Sequence, residues 1–180
     1  MKEAGCRMMS YGIEHGEFIQ EIKGGNATLE QSEKAVKWAH EAKIQTAGYF
    51  MIGLPNETPK TIRKTIDFAK KLDCTYATFS ITMPFPGNKL YDEAVKSGLI
   101  QLDDTWEKFV YGGVGAGGIQ APVLTTDSLA ASDLEYWTKK AFREFYLRPS
   151  YIMKRLLGVR SFNDFMMNYN GFKMMTKDTV

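Results

Sequence analysis

The sequence predicts an α/β protein in which about the first hundred residues form a parallel sheet built of right-handed βαβ units. Apolar runs alternate there with amphipathic segments, and the connections between them are short. Each of the three apolar runs ends in a turn that contains glycine or proline, at residues 12–16, 53–59 and 84–87. Because parallel strands end at the same edge of a sheet, the three turns are expected to lie side by side.

The first strand is expected over residues 7–13, and residues 16–25 hold at most a short helix. A longer helix follows, because Thr28 and Gln31 have the spacing of a capping box. Apolar residues then recur at helical spacing as far as about residue 42, which predicts a helix with one buried face.

The second strand is expected over residues 44–52, and its nearly continuous apolar second half is typical of a parallel strand covered on both faces. Thr58 caps the next helix, with Pro59 at the first helical position, where the missing N–H group costs nothing. Residues 76–83 form the third strand, and a shorter helix over residues 89–96 completes the alternation.

The composition changes after this part of the chain. Residues 112–118 are rich in glycine but lack the Lys-Ser/Thr ending of a P-loop, which favours a connector or an active-site lid over a phosphate-binding loop. Residues 126–157 have a helical pattern with an interruption at 148–150. The expected organisation has three parts: residues 1–111 carry the sheet, 112–125 form the glycine-rich connector, and 126–180 form a helical C-terminal extension.

Composition and charge exclude several classes of protein. The formal net charge of +2 shows no strongly basic surface, so nucleic-acid binding has no support. The apolar runs are too short for a membrane span and the first residues lack a signal-peptide core, which makes a cytoplasmic location the default. The two cysteines, Cys6 and Cys74, argue against a disulfide framework and against a zinc site.

The residues at the expected strand ends favour a nucleotide-like ligand. Glycines there let the backbone approach a flat ring, and the carboxylate of Glu14 can accept hydrogen bonds from ribose hydroxyls. Proline and glycine also end strands where no ligand binds, so these residues alone leave a purely structural role equally open. No catalytic residue and no metal ligand is predicted, because His15 is expected to be solvent-exposed and no Ser/His/Asp arrangement is evident.

Four segments, in this order, resemble the later strands of radical S-adenosylmethionine (radical SAM) enzymes: residues 1–6, 11–16, 50–58 and 83–91. The resemblance extends into residues 145–149, which are similar to the helical tail of the subgroup that carries a cobalamin-binding domain. Each motif is weak alone, and their common order is more specific. That subgroup is the one the chain resembles most.

The resemblance implies a partial TIM-like barrel, of which this chain has a (βα) half-barrel with three parallel strands. It also implies the chemistry of the family, in which a 4Fe-4S cluster cleaves S-adenosylmethionine reductively to a 5′-deoxyadenosyl radical. Carried over by position, Glu14 and His15 lie near the ribose, Ile52 and Gly53 line the adenine side, and Phe85 approaches the adenine edge. The implied cofactors of the full-length enzyme are S-adenosylmethionine and the cluster, with cobalamin in the subgroup.

The sequence departs from the family pattern at the cluster. The CxxxCxxC motif is absent, and Cys6 and Cys74 cannot supply three cluster ligands. The chain is therefore expected to be the carboxyl-terminal half of an enzyme that acts on a small-molecule or lipid-like substrate, and to hold no cofactor and be inactive alone. Two alternatives stay open: a degenerate binding or partner module that supplies half a barrel to another polypeptide, and an unrelated α/β nucleotide-binding enzyme.

A half-barrel has consequences for assembly. Its first strand presents an unpaired edge, and the inner face of its sheet leaves apolar side chains uncovered. The sequence therefore predicts a homodimer or larger assembly formed through that edge or face. A long helix over residues 128–157 that folded back over the open face would instead permit a monomer.

Overall fold

A computed structural model of the protein describes residues 1–17, 28–98 and 128–158, together with Met166. Three strands form one parallel sheet in the order β1-β2-β3. The strands are β1, Met8–Glu14; β2, Gln45–Ile52; and β3, Tyr76–Ile81. The predicted α/β half-barrel with three parallel strands is confirmed. The glycine-rich connector lies outside the described residues, as does most of the segment predicted to follow β1.

Two helices begin where the capping patterns predict, after Thr28 and Thr58, whereas the helix predicted from about residue 126 begins at Ala131. They are α1, Leu29–Glu41; α2, Pro59–Leu72; α3, Lys89–Lys96; α4, Ala131–Tyr146; and α5, Pro149–Leu157. The Thr28 hydroxyl accepts a hydrogen bond from the Gln31 N–H group at 3.1 Å, and the Gln31 side chain accepts one from the Thr28 N–H group at 2.9 Å. Thr58 and Thr61 form the same reciprocal cap on α2. In these ranges no helix combines the length and apolar character that crossing a bilayer requires.

The helices cover one face of the sheet and build a continuous core on it. Phe50 of β2 and Phe79 of β3 are paired in register and stack with 5.2 Å between their ring centroids. Phe145 of α4 meets Phe79 edge-on at 6.2 Å. Aliphatic side chains from the strands and helices fill the space around these rings: Ile13, Val36, Ile52, Ile62, Ile66 and Leu134. The helical extension thus packs into the same core as the sheet.

Side chains from α4 and α5 cover the outer edge of β3. The Tyr146 hydroxyl donates to the Ala77 carbonyl at 2.8 Å and accepts from the Ala77 N–H group at 3.0 Å. Tyr151 and Arg155 both donate to the Thr75 carbonyl, at 3.0 Å and 2.8 Å. These bonds satisfy backbone groups that a neighbouring strand would otherwise have to satisfy, so the first part of this edge is closed to further pairing.

A charged cluster fastens α4 to α2. Arg63 donates to both carboxylate oxygens of Glu144, at 2.6 Å and 2.9 Å, and Lys70 donates to the same group at 3.1 Å. The hydrogen bonds from Arg63 outweigh the effect of partial burial and hold the pKa of the Glu144 carboxyl below its ordinary value. Glu144 is therefore ionised at neutral pH, and it links two helices that are far apart in the sequence.

The opposite face of the sheet has no helix on it among the described residues. Met8, Tyr49 and Tyr76 on this face are 50%, 40% and 37% exposed. The helical segment after residue 128, a possible cover for this face, does not lie on it, because α4 contacts β3 and α2 on the core side. Within the described ranges β1 pairs with β2 alone, so its outer edge is open as well.

Candidate functional site

A cavity of about 180 Å³ lies at the carboxyl ends of the three strands. Its walls come from all three strands and from the turn after β3: Glu14, Tyr49, Phe50, Met51, Ser80, Ile81, Met83 and Phe85. Most of this lining is apolar, and Glu14 contributes a carboxylate. Ligands of parallel α/β sheets bind at this edge, which makes the cavity the candidate site.

A β-bulge sets the position of Glu14. The pairing of β1 with β2 runs in step from Met8 to Gly12 and then skips Ile13, so that Glu14 is opposite Phe50. Glu14 has a φ angle of 67°, in the left-handed region. Bulges often re-aim a side chain next to a binding site, and this backbone conformation costs a non-glycine residue about 1 kcal/mol. The surrounding structure therefore has to hold Glu14 in place.

The turn after β2 depends on glycine at its first position. Gly53 has a φ angle of 91°, and a Cβ atom there would lie 3.1 Å from Leu134 Cδ2. Asn56, in the same turn, has a φ angle of 62°, a conformation that asparagine adopts more readily than most residues. The backbone of this turn is thus fixed by its own residues and by contact with α4.

His15 is buried, so the prediction that it is solvent-exposed is wrong. Its side chain has 0% exposure, and its Nε2 atom lies 2.7 Å from Glu57 Oε1. The Nδ1 atom accepts a hydrogen bond from the Glu17 N–H group at 3.0 Å. The imidazole is not part of the cavity wall, and this geometry gives no support to a direct contact between His15 and a ribose.

Glu57 is a residue of this region that sequence reasoning missed. Its side chain is 0% exposed, and its Oε2 atom accepts hydrogen bonds from the N–H groups of Gly53 and, at 3.0 Å, Leu54. The pairing with His15 spans 42 positions, so no local spacing reveals it. The available signal was a carboxylate directly before a helix cap, where the helix dipole favours negative charge.

The five predicted site residues divide into two groups. Glu14 and Phe85 line the cavity, and Phe85 is 43% exposed. His15, Ile52 and Gly53 are not among the lining residues, and Ile52 has 0% exposure in the core.

The sequence of this chain is similar to those of several known proteins. Residues 1–69 match the Radical SAM superfamily. An uncharacterized methyltransferase of Pyrococcus horikoshii is 36% identical over 155 residues, which are 86% of this chain and 32% of that protein. Bacteriochlorophyllide d C-12(1)-methyltransferase of Chlorobaculum tepidum is 30% identical over 108 residues, which are 59% of this chain and 23% of that protein.

A solved structure also matches, that of the radical S-adenosylmethionine methyltransferase TsrM from Kitasatospora setae with cobalamin and a 4Fe-4S cluster bound. The TM-score is 0.47 at 27% sequence identity, over 79% of this chain and 26% of that one.

The sheet and its cavity define an α/β half-barrel with a candidate ligand-binding edge. The match of residues 1–69 to the Radical SAM superfamily then gives the class of protein. It agrees with the resemblance that the sequence motifs indicated. The cofactors of that superfamily are S-adenosylmethionine and a 4Fe-4S cluster. The chain spans about a third of the length of the Pyrococcus relative and less of the Chlorobaculum one.

The residues of the chain suit a nucleoside better than an iron–sulfur cluster. Apolar walls with one carboxylate match a flat base that carries ribose hydroxyls. Cys74 is 1% exposed, and burial raises the pKa of its thiol to about 11, which disfavours the thiolate that binds iron. In the part of the chain that the structure describes, no three His, Cys, Asp or Glu side chains are grouped to hold a metal ion.

Proposed function

We propose that this chain forms the adenosine side of the S-adenosylmethionine site in a radical SAM enzyme, and that residues outside this sequence hold the cluster. The observation that carries the proposal is the position of Glu14, a carboxylate at a β-bulge in an otherwise mainly apolar cavity. The sequence match of residues 1–69 supports the family. By itself the chain is expected to lack radical chemistry, because it has only two cysteines.

Each predicted residue has a part in this proposal. Glu14 accepts hydrogen bonds from the ribose hydroxyls, and Phe85 packs against the adenine ring from the turn after β3. Ile52 and Gly53 support the wall, and His15 does the same at the end of β1. When bound, S-adenosylmethionine supplies the 5′-deoxyadenosyl group of the family's chemistry.

We further propose methyl transfer to a small-molecule substrate as the reaction of the whole enzyme. The two relatives described above are named as methyltransferases, one of them acting on a bacteriochlorophyllide. Cobalamin as a further cofactor is proposed on the subgroup resemblance. Both cysteines are free thiols, which suits a reducing compartment, and we therefore propose a cytoplasmic location.

A second candidate function is a partner module that supplies half a barrel to another polypeptide. The open outer edge of β1 in the described residues favours it, since a strand of a second chain could pair there. The DNA upstream of the Met1 codon separates the two candidates. An in-frame CxxxCxxC segment supports a longer enzyme, and a ribosome-binding site directly before Met1 supports a separate subunit.

Titration of S-adenosylmethionine into the chain labelled at its methionine methyl groups tests the adenosine site. The NMR signals of Met51 and Met83, which line the cavity, should shift progressively with weak affinity. Glu14→Gln should weaken binding by about tenfold, because hydrogen bonds to charged groups contribute about 1.5 kcal/mol or more. The matched control is Glu41→Gln, an exposed carboxylate near the end of α1. Unchanged Met51 and Met83 signals at saturating ligand would contradict the proposal.

A further inference from the structure

We infer that His15 and Glu57 are positioning residues that form a buried clasp between the end of β1 and the turn after β2. The clasp consists of the imidazole of His15, the carboxylate of Glu57 and the 2.7 Å contact between them. It holds the neighbouring Glu14 at the cavity. Its importance for ligand binding rests on the proposed function, whereas its existence and its effect on the cavity do not.

Among the described residues, both oxygens of the Glu57 carboxylate have hydrogen-bond donors, and neither uses a lysine or arginine. A buried carboxylate needs hydrogen-bond donors, and Glu57 has the N–H groups of Gly53 and Leu54 on one oxygen and His15 on the other. In the described ranges, His15 is the basic side chain within 4.0 Å of this carboxylate. The position of Glu57 just before α2 adds the favourable field of the helix N-terminus.

The hydrogen bonds of His15 define its tautomer. Glu17 donates its backbone N–H group to Nδ1, so Nδ1 carries no proton. The ring proton is therefore on Nε2, which donates to Glu57 Oε1. In this arrangement His15 is a neutral imidazole in the Nε2–H form, with both nitrogen atoms used.

The residue after His15 fixes the same segment to α2. The Gly16 N–H group donates to Thr65 Oγ1 at 3.0 Å, and a Cβ atom at Gly16 would lie 2.7 Å from Thr65 Cα. The chain thus passes directly against the helix backbone, where no larger residue fits. Glu14 lies between the bulge on one side and this anchored segment on the other.

The clasp determines where Glu14 points. Glu14 lines the cavity, whereas the next residue, His15, is buried against Glu57, so the two neighbouring side chains point to different sides of the segment. Glu14 adopts a left-handed backbone conformation that is unfavourable in a free chain, and the clasp opposes its relaxation. Loss of the clasp should therefore alter the cavity before any ligand is added.

Nitrogen-correlated NMR of the histidine rings in the full chain tests the tautomer directly. The chain has two histidines, and His40→Gln assigns the signals of His15 by elimination. The expected result is an unprotonated Nδ1 and a protonated Nε2 in His15. The opposite tautomer, or an imidazole protonated on both nitrogens at neutral pH, would overturn the inference.

Methionine methyl signals of the ligand-free chain test the effect on the cavity. His15→Leu should shift the Met51 and Met83 signals, while His15→Gln, which keeps a donor for Glu57, should leave them near their wild-type positions. His40→Leu is the control, because His40 bonds Thr46 at the other end of β2. A folded His15→Leu variant with unchanged Met51 and Met83 signals would refute a positioning role. If His15→Leu does not fold, the wild-type tautomer and the His15→Gln signals decide.

The same variants separate this inference from the proposed function. If His15→Leu shifts the cavity methyl groups but S-adenosylmethionine does not bind the wild type, the clasp stands and the adenosine site fails. If the wild type binds, His15→Leu should weaken binding at least several-fold and His15→Gln should restore most of it. Binding that is equal in wild type and a folded His15→Leu would sink the clasp and leave the adenosine site standing.

Discussion

Burial gives the two cysteines different chemistry. Cys74 is 1% exposed and burial raises the pKa of its thiol to about 11, whereas Cys6 is partly accessible. At pH 8 about one Cys74 thiol in a thousand is ionised, and the ionised form is the nucleophile. We predict that a chromogenic disulfide reagent labels Cys6 at least a hundredfold faster than Cys74.

The variant Cys6→Ser serves as the control for this labelling. It should show no fast phase in the folded state and one reactive thiol after unfolding in urea. A fast phase that persists in Cys6→Ser would show that Cys74 is accessible, contrary to its position in the core.

The candidate site could be predicted from the sequence only in part. Glu14 and Phe85, which line the cavity, were predicted because each lies at or just after the end of a strand, and strand ends are readable from apolar runs and turn residues. The pairing of His15 with Glu57 was not found, because it joins two segments that meet only after the sheet has formed. Periodicity reports which side chains are apolar, but a buried pair of polar groups has no local pattern.

The Tyr146 hydroxyl makes two of the hydrogen bonds that cover the β3 edge, so its removal tests this cover. Tyr146→Phe keeps the ring in the core but leaves the N–H and C=O groups of Ala77 without this partner. Unsatisfied buried backbone groups cost about 1–3 kcal/mol, so we expect the free energy of unfolding to fall by about that amount. Urea denaturation measures it.

Tyr136→Phe is the matched control for Tyr146→Phe. Tyr136 lies on the same helix, is 54% exposed and uses its hydroxyl only toward Lys140 among the described contacts. Its loss should change stability by less than about 0.5 kcal/mol. Equal effects of the two substitutions would show that the hydroxyl of Tyr146 does not protect the edge.

The charged cluster between α2 and α4 should make stability depend on pH. The pKa of Glu144 is lowered from 4.5 in the folded state, so its contribution is fully present above about pH 4.5 and is lost as the pH falls through the folded value. Glu144→Gln should therefore destabilise the protein by about 1 kcal/mol at pH 7. The difference from wild type should shrink below pH 4.5.

Denaturation curves at several pH values, with Glu135→Gln on the same helix as the control, provide the measurement. A difference between wild type and Glu144→Gln that stays constant down to pH 3 would contradict the assignment, since pH 3 is well below the ordinary carboxyl value of 4.5.

At the scale of elements, local signals predicted the fold well and packing direction poorly. The capping boxes at Thr28 and Thr58 predicted the starts of α1 and α2, because the cap is formed by residues close in sequence. The placement of α4 was left open between two faces of the sheet. An apolar stripe indicates that a helix is buried, whereas the choice of face depends on partners such as Phe79, about sixty residues away.

In the described part of the molecule the outer edge of β1 is open, and we predict that the protein associates there into a homodimer. The Arg7 carbonyl accepts a hydrogen bond from the Gln45 N–H group, so the backbone groups of Arg7 face β2. Residues along a parallel strand face alternately toward one neighbour and away from it, so Ser10, three positions later, directs its N–H group outward. Ser10→Pro should therefore remove an outer donor without removing a bond to β2, and it should shift the protein toward monomer.

Light scattering across a dilution series measures the association, with Ser10→Ala as the control that keeps the N–H group. A persistent monomer at high concentration would contradict the predicted dimer. If Ser10→Pro leaves a dimer unchanged, the contact is formed by the open sheet face around Tyr49 and Tyr76 and not by the edge.

The difference between the two edges also limits how far association can proceed. A fibre grows when one edge of each copy accepts the opposite edge of the next, which requires two free edges per sheet. Here Tyr146, Tyr151 and Arg155 occupy backbone groups at the start of the β3 edge, which favours edge-to-edge contact of β1 against β1. Such a contact uses the same surface twice and is complete with two copies. The C-terminal helices therefore oppose amyloid-like polymerisation, because they obstruct one of the two edges that an endless sheet requires.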